Sequence, residues 1–110
     1  MKHAEIKLSI TLDEKNIPLE ILWESTDSKK KEAVPAKAMI VSLWDPALKN
    51  TMRIDLWTKE MPVDEMKQFF YETLLTMGDT FEKATGEKNI VEDLRDYCAH
   101  FAEKMELIQK

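Results

Sequence analysis

A chain of 110 residues with 44% hydrophobic residues, 34% charged residues and a net charge of −5 is expected to fold as one soluble domain covering residues 1–110. Its longest apolar run, residues 38–41, is far shorter than the roughly 20 residues of a membrane helix, which argues against direct membrane insertion. Residues 60–110 carry six basic and twelve acidic side chains, and this acidic half disfavours binding to nucleic acid.

The first two predicted strands cover about residues 4–12 and 18–25. In both, apolar side chains alternate with polar ones, and this period of two is typical of a strand with one buried face. Trp23 continues the apolar face of the second strand, so we expect it in the core. Residues 13–16 are turn formers, and the two strands are predicted to pair as an antiparallel hairpin.

Residues 25–35 are polar, charged and without periodicity, which predicts a mobile loop. Its three consecutive lysines, 29–31, form the only basic strip in the sequence and are typical of a solvated loop. The third strand, about residues 36–44, is apolar on both faces. Such a strand is usually central, with its second face covered by helices or by another subunit, and the latter would make the protein a homo-oligomer.

The fourth strand, about residues 51–58, places Trp57 on the polar register together with Arg53 and Asp55. An outward tryptophan beside an arginine and a carboxylate is typical of a binding interface. The alternative is a bulge near residue 57 that turns the indole inward.

After the fourth strand the apolar residues recur three and four apart, which predicts helices over about residues 63–85 and 90–108. Gly86 is expected to end the first helix in the left-handed conformation, and Asn89 with Glu92 is expected to form a capping box at the start of the second. The short connection predicts an antiparallel helical hairpin. The expected fold is therefore α+β (ββββαα), a four-stranded antiparallel sheet followed by a two-helix antiparallel hairpin packed on one face.

The His and Cys residues are the first candidates for catalysis or metal binding. His3 and His100 have no cysteine or carboxylate at metal-ligand spacing. Cys98 lies on the apolar stripe of the second helix, which is typical of a core thiol rather than a nucleophile. The two glycines of the chain are too few for a phosphate-binding loop. We expect no catalytic residues, no cofactor, no metal and no enzymatic activity.

The compartment is predicted from the N-terminus and from cysteine usage. Residues 1–7 lack the apolar segment of a secretory signal. A single cysteine excludes an internal disulfide and agrees with a reducing compartment. The expected location is the cytoplasm.

A partner surface is predicted around the Trp-Asp-Pro turn and the fourth strand. It consists of Trp44, Asp45, Pro46, Arg53, Asp55 and Trp57. The two charged residues of the strand would orient a protein partner through charge-assisted hydrogen bonds, and the aromatic side chains would supply burial.

Three segments carry a family resemblance: AKAMIVSLWDP, NTMRIDLWTKEMPVDEMKQFF and TLLTMGDTFEKATGE, all within residues 36–87. Together they resemble the GldC family of gliding-motility proteins, and the likeness extends to the first hairpin and the last helix. The resemblance implies an accessory or adaptor protein of cell motility, with protein partners in the gliding-motility complex. It implies no catalytic residues and no defined molecular activity.

A second hypothesis comes from the order of the elements. The order ββββαα in a small acidic protein is similar to that of the SecB-like export chaperones, although the sequence motifs differ. The alternative function is thus a SecB-like cytoplasmic chaperone or holdase for exported motility components, and this analogy concerns the fold alone.

Overall fold

A computed structural model of the chain describes residues 1–26 and 32–107. It divides into two compact units, Met1–Met61, which holds the strands, and Pro62–Lys110, which holds the helices. The centre of the predicted mobile loop, with the lysine strip at 29–31, lies outside the described residues, as does the predicted last residue of the second helix, Ile108.

The strands form two antiparallel sheets instead of the predicted single four-stranded sheet. The first sheet has the order β1-β2-β3 and the second pairs β4 with β5, with bounds β1 Ile6–Leu12, β2 Pro18–Ser25, β3 Val34–Ala36, β4 Ala38–Asp45 and β5 Asn50–Trp57. The prediction was wrong because β3 is an additional strand that falls in the segment read as loop. One residue, Lys37, separates β3 from β4. A reversal into a neighbouring antiparallel strand needs at least two loop residues, so β4 leaves the first sheet.

The turn between β1 and β2 is built by the carboxylate of Asp13. Its Oδ1 accepts the backbone N–H of Lys15 at 2.8 Å and of Ile17 at 2.9 Å, while Asn16 takes the left-handed conformation with φ of 64°. The hydrogen bond from the Ile17 N–H lowers the pKa of Asp13 below its ordinary value. The Lys15 N–H and the Lys59 ammonium, 3.3 Å away, act in the same direction with smaller effects. It is therefore the ionised carboxylate of Asp13 that holds the predicted hairpin together.

The apolar face of the first sheet is less covered than the alternation suggests. Ile21 is 1% exposed, but Trp23 is 37% exposed, so the prediction that Trp23 lies in the core was wrong. Trp23 pairs with Leu8 and Val34 in the register of the sheet, on the same face as Ile21. A period of two determines which face a side chain occupies but not what covers that face.

The first helix, α1 (Val63–Thr85), has the predicted bounds. Pro62 caps its start, and Gly86 ends it with φ of 74° and an N–H that donates to the Glu82 carbonyl at 2.8 Å. Asp64 and Glu65 lie in the first turn, where the partial positive charge of the helix N-terminus stabilises acidic side chains.

The second helix, α2 (Lys88–Lys104), starts two residues before and ends four residues before the predicted bounds. Its N-cap is Glu87, so Asn89 lies inside the helix and the predicted Asn89–Glu92 capping box was wrong. The helix ends where Glu106 turns left-handed, with φ of 58°. There the Leu107 N–H donates to the Ala102 carbonyl at 2.8 Å, the closure of a Schellman motif.

The two helices pack side by side through a glycine. A Cβ on Gly78 of α1 would stand 3.2 Å from Leu94 Cδ2 and 3.7 Å from Val91 Cγ1 of α2. Cys98 is fully buried, which confirms its predicted place in the core of the hairpin. Arg95 adds ion pairs to α1, at 3.1 Å from Asp79 and 3.4 Å from Glu82. The packing of this hairpin on a sheet remains a prediction.

Candidate interaction surface

The antiparallel ribbon of β4 and β5 carries most of the predicted partner surface. Its register is continuous from the pair Ala38–Trp57 to the pair Asp45–Asn50, so the strand runs up to Trp57 without the bulge considered as the alternative. Directly opposite residues share a face, and side chains alternate between the two faces. The side that we call the tryptophan face comprises Ala38, Ile40, Ser42, Trp44, Thr51, Arg53, Asp55 and Trp57.

Two exposed tryptophans stand at opposite ends of the tryptophan face. Trp44 is 65% exposed and lies across from Thr51, whereas Trp57 is 57% exposed and lies across from Ala38. Six residues of strand separate the two ends, a distance of about 20 Å. An apolar ring at each end of the ribbon suits an extended partner segment that spans both.

An ion pair occupies the middle of the same face. Arg53 Nε lies 3.3 Å from Asp55 Oδ2, and the two side chains are 53% and 51% exposed. An exposed pair of this kind contributes about 0–1 kcal/mol, so redirecting either group toward another molecule costs little. The arginine offers further N–H donors and the carboxylate offers further acceptor sites to a partner.

Asp45 and Pro46 belong to the turn of the ribbon and not to the tryptophan face. Asp45 Oδ1 accepts the backbone N–H of Ala47 at 2.9 Å and of Leu48 at 3.1 Å. Its carbonyl oxygen accepts the N–H of Lys49, which is left-handed with φ of 54°. The structure thus brings four of the six predicted residues onto one face and gives the carboxylate of Asp45 a structural task.

The opposite side of the ribbon is apolar except for Asp45 and Asn50 beside the turn. This aliphatic face comprises Met39, Val41, Leu43, Met52, Ile54 and Leu56. Leu43, Met52 and Ile54 are 54%, 53% and 43% exposed. The alternation in the sequence predicts which residues lie on this face, but it does not predict that they are exposed. Apart from the turn pair Asp45–Asn50, this side of both strands has no polar side chain, and this is the signal that marks the face as a second contact surface.

A third exposed apolar region lies on α1. Phe70, Met77 and Phe81 are 39%, 58% and 46% exposed, although the helical periodicity indicated core positions. A shallow depression on this helix is lined by Thr76, Met77, Thr80, Phe81 and Ala84. We call this region the α1 stripe.

The Cys98 thiol is buried within the helical hairpin. Burial raises the pKa of the Cys98 thiol above its ordinary value, so the thiol is protonated at neutral pH. Within residues 1–26 and 32–107, no group of three His, Cys, Asp or Glu side chains is placed to hold a metal ion. No helix in that same part of the chain is long and apolar enough to cross a membrane.

A family model described as "Gliding motility-associated protein GldC-like" matches residues 18–107, which is most of the chain and includes both faces of the ribbon and both helices. No curated protein and no solved structure matches the chain.

Proposed function

Since the chain belongs to the GldC-like family of gliding motility-associated proteins, we propose that it is a non-enzymatic, cytoplasmic adaptor of the gliding-motility machinery. It acts through protein–protein contacts and binds its partner with the tryptophan face of the β4–β5 ribbon. Family membership supports the process, and the chemistry of this face supports the mode of action.

The observation that carries this proposal is the exposure of Trp44 and Trp57 on one face with the Arg53–Asp55 pair between them. Tryptophan and arginine are the residues most enriched among those that dominate interface energies. Binding would bury the exposed area of the indoles. Each Å² of apolar surface removed from water contributes about 25 cal/mol of favourable free energy. The central ion pair would set the orientation and register of the partner.

The test is a pull-down of tagged protein from its own cells. We expect the Trp57→Ala, Arg53→Ala double variant and the Trp44→Ala single variant each to lose the same specific partner of the motility complex. Trp44 lies on β4, away from the edge of β5, so the Trp44→Ala variant reports on the face alone.

The matched control is Tyr97→Ala. Tyr97 is an aromatic residue of α2 with 54% exposure, close to the 57% of Trp57, but it lies outside the ribbon. We expect this variant to keep the partner. Retention of the partner by both tryptophan-face variants, with circular dichroism showing that they are folded, would contradict the assignment of the surface.

Thermodynamic stability gives an independent check on Trp57. Truncating a buried tryptophan to alanine costs about 3–5 kcal/mol. More than half of Trp57 is exposed, so Trp57→Ala should cost clearly less in urea unfolding. A cost within the range of a buried tryptophan would place the indole in the core and remove it from the partner surface.

The α1 stripe favours the second candidate function, that of a SecB-like holdase. Phe70, Met77 and Phe81 form exposed apolar surface on which an unfolded client would bind without sequence preference. A holdase would suppress the aggregation of unrelated, thermally unfolded proteins, and Phe81→Ser would reduce this effect. The adaptor proposal predicts no such suppression and one saturable partner.

A further inference from the structure

The outer edge of β5 is open. Within residues 1–26 and 32–107, β5 pairs with β4 on one side and with no strand on the other. The N–H of Thr58 donates to the Lys37 carbonyl at 2.8 Å, which determines the hydrogen-bonding phase of the ribbon. Because this phase alternates along an antiparallel pair, even-numbered residues of β5 direct their backbone groups at β4. The backbone groups of Thr51, Arg53, Asp55 and Trp57 are directed outward.

The sequence of β5 is self-complementary about Ile54. In an antiparallel pairing of two such strands centred on Ile54, Arg53 lies opposite Asp55 of the partner subunit, and Asp55 lies opposite its Arg53. Met52 then lies opposite Leu56, and the outward backbone groups of Arg53 and Asp55 meet as a hydrogen-bonded pair. A centre on Arg53 or on Asp55 would place two like charges opposite each other, which destabilises a sheet.

We propose that β5 pairs with β5 of a second copy of this chain about a twofold axis at Ile54. The product is a continuous four-stranded antiparallel sheet in the order β4-β5-β5-β4. Two opposite-charge pairs, Arg53 with Asp55 in each direction, determine the register of this sheet. This surface goes beyond the adaptor proposal, because it uses the backbone edge of the strand and not the exposed indoles.

The other strand edges favour this choice. β1 carries a single charged residue, Lys7, and a lysine on an edge strand disfavours further pairing. β4 has no charged residue before Asp45, so its outer edge has no charges to select a register. β5 has eight residues in regular register, lacks proline and carries the complementary charges at its centre.

The pairing also joins the aliphatic faces of the two copies. A two-stranded ribbon is marginally stable in water, and a sheet of three or more strands with an apolar face is more stable. In the proposed sheet the aliphatic faces of both copies lie on the same side, because direct antiparallel pairing keeps opposite residues on one face. Met52, Ile54 and Leu56 of both copies then form one continuous apolar surface.

The test uses two charge variants, Arg53→Asp and Asp55→Arg. Each variant alone places two pairs of like charges across the proposed interface, and we expect the dimer dissociation constant to rise about tenfold or more. A one-to-one mixture of the two variants restores opposite charges in both pairs. Sedimentation equilibrium should therefore show a dimer for the wild type, dissociation for each variant and recovery of the dimer in the mixture.

Each other outcome overturns the proposal. A wild-type protein that stays monomeric at its highest soluble concentration would exclude the dimer. Dimers that persist in both charge variants would place the interface elsewhere. Failure of the mixture to recover the dimer, with both variants folded by circular dichroism, would exclude this register. None of these results concerns the partner of the tryptophan face, which Trp44→Ala tests separately.

Thiol crosslinking tests the position of the axis. Ile54 would face its own copy in a non-hydrogen-bonded pair, with Cα atoms about 4.5 Å apart, so Ile54→Cys should form an intermolecular disulfide under mild oxidation. The matched control is Met52→Cys on the same strand and face, whose two copies would be offset by four residues, about 13 Å. Buried Cys98 is inaccessible to this reaction. Equal crosslinking of both variants would refute the axis at Ile54.

Discussion

Replacing Asp45 by alanine tests whether this residue belongs to the turn or to a partner surface. The substitution removes the acceptor of two backbone hydrogen bonds, from Ala47 at 2.9 Å and from Leu48 at 3.1 Å. Side-chain acceptors of this type, lost at a helix N-terminus, cost about 0.5–2 kcal/mol. The two amides are at an exposed turn and regain water, so the full penalty of a buried unpaired donor does not apply. We expect a loss of about 1–2 kcal/mol.

The assay is urea unfolding followed by circular dichroism. With a slope of about 1–3 kcal/mol per molar urea, a loss of this size lowers the midpoint by several tenths of a molar or more. The control is Asp45→Asn, which keeps an acceptor oxygen and should lose clearly less. Lys49→Gly in the same turn should have the opposite sign, a gain of about 0.5–1 kcal/mol, because Lys49 is left-handed with φ of 54°.

An unchanged midpoint for Asp45→Ala would refute this account of the turn. Equal losses for Asp45→Ala and Asp45→Asn would show that the negative charge, and not the acceptor, is what matters. If Asp45→Asn kept full stability but lost the partner in a pull-down, Asp45 would return to the partner surface predicted from the sequence.

Three further predictions concern the helices and the first turn. Gly78→Val should lower the free energy of unfolding in urea by about 1–3 kcal/mol, because even a Cβ at this position would lie 3.2 Å from the Leu94 side chain. Gly78→Ala should stay close to the wild type, since its gain in helix propensity of about 1 kcal/mol offsets a small shift of Leu94. Glu106→Gly should raise the melting temperature by a few degrees, because Glu106 is left-handed at the end of α2, and a lowered melting temperature would contradict the Schellman assignment. The lowered pKa of Asp13 means that its contribution to stability is complete above the ordinary value of 3.8 and is lost as the pH falls through the lower folded value. The stability advantage of the wild type over Asp13→Asn should therefore be constant near neutral pH and shrink as the pH falls below 3.8. An advantage independent of pH would refute this.

Elements whose signals are local were predictable from the sequence. The bounds of α1 follow from Pro62 before it and Gly86 after it, and both signals act within one helical turn. The faces of β4 and β5 follow from a period of two, which places Trp44, Arg53, Asp55 and Trp57 together once the hairpin register is known. The family was also recognised from local motifs, and the match over residues 18–107 confirms it.

The misses concern structure that depends on distant residues or on unfavoured conformations. β3 is three residues long and includes Pro35, so its strand character comes from pairing with β2 and not from a pattern of its own. The end of α2 at Lys104 depends on a left-handed Glu106, where sequence rules look for glycine or asparagine. Trp23 was assigned to the core because alternation identifies a face without showing whether that face is covered.

The place of β5 in a two-stranded ribbon makes it available for two kinds of contact. A strand paired on both sides would offer only its side chains. With the bend at Lys37, β4 and β5 form a separate ribbon, so β5 keeps an open edge as well as an exposed face. Arg53 and Asp55 contribute to both, because their side chains lie on the tryptophan face and their backbone groups lie at the edge. Pairing through the edge would place two tryptophan faces side by side on one sheet and so double the surface offered to a motility partner. Loss of the dimer should then weaken partner binding by loss of avidity, whereas Trp44→Ala should weaken binding in the dimer itself.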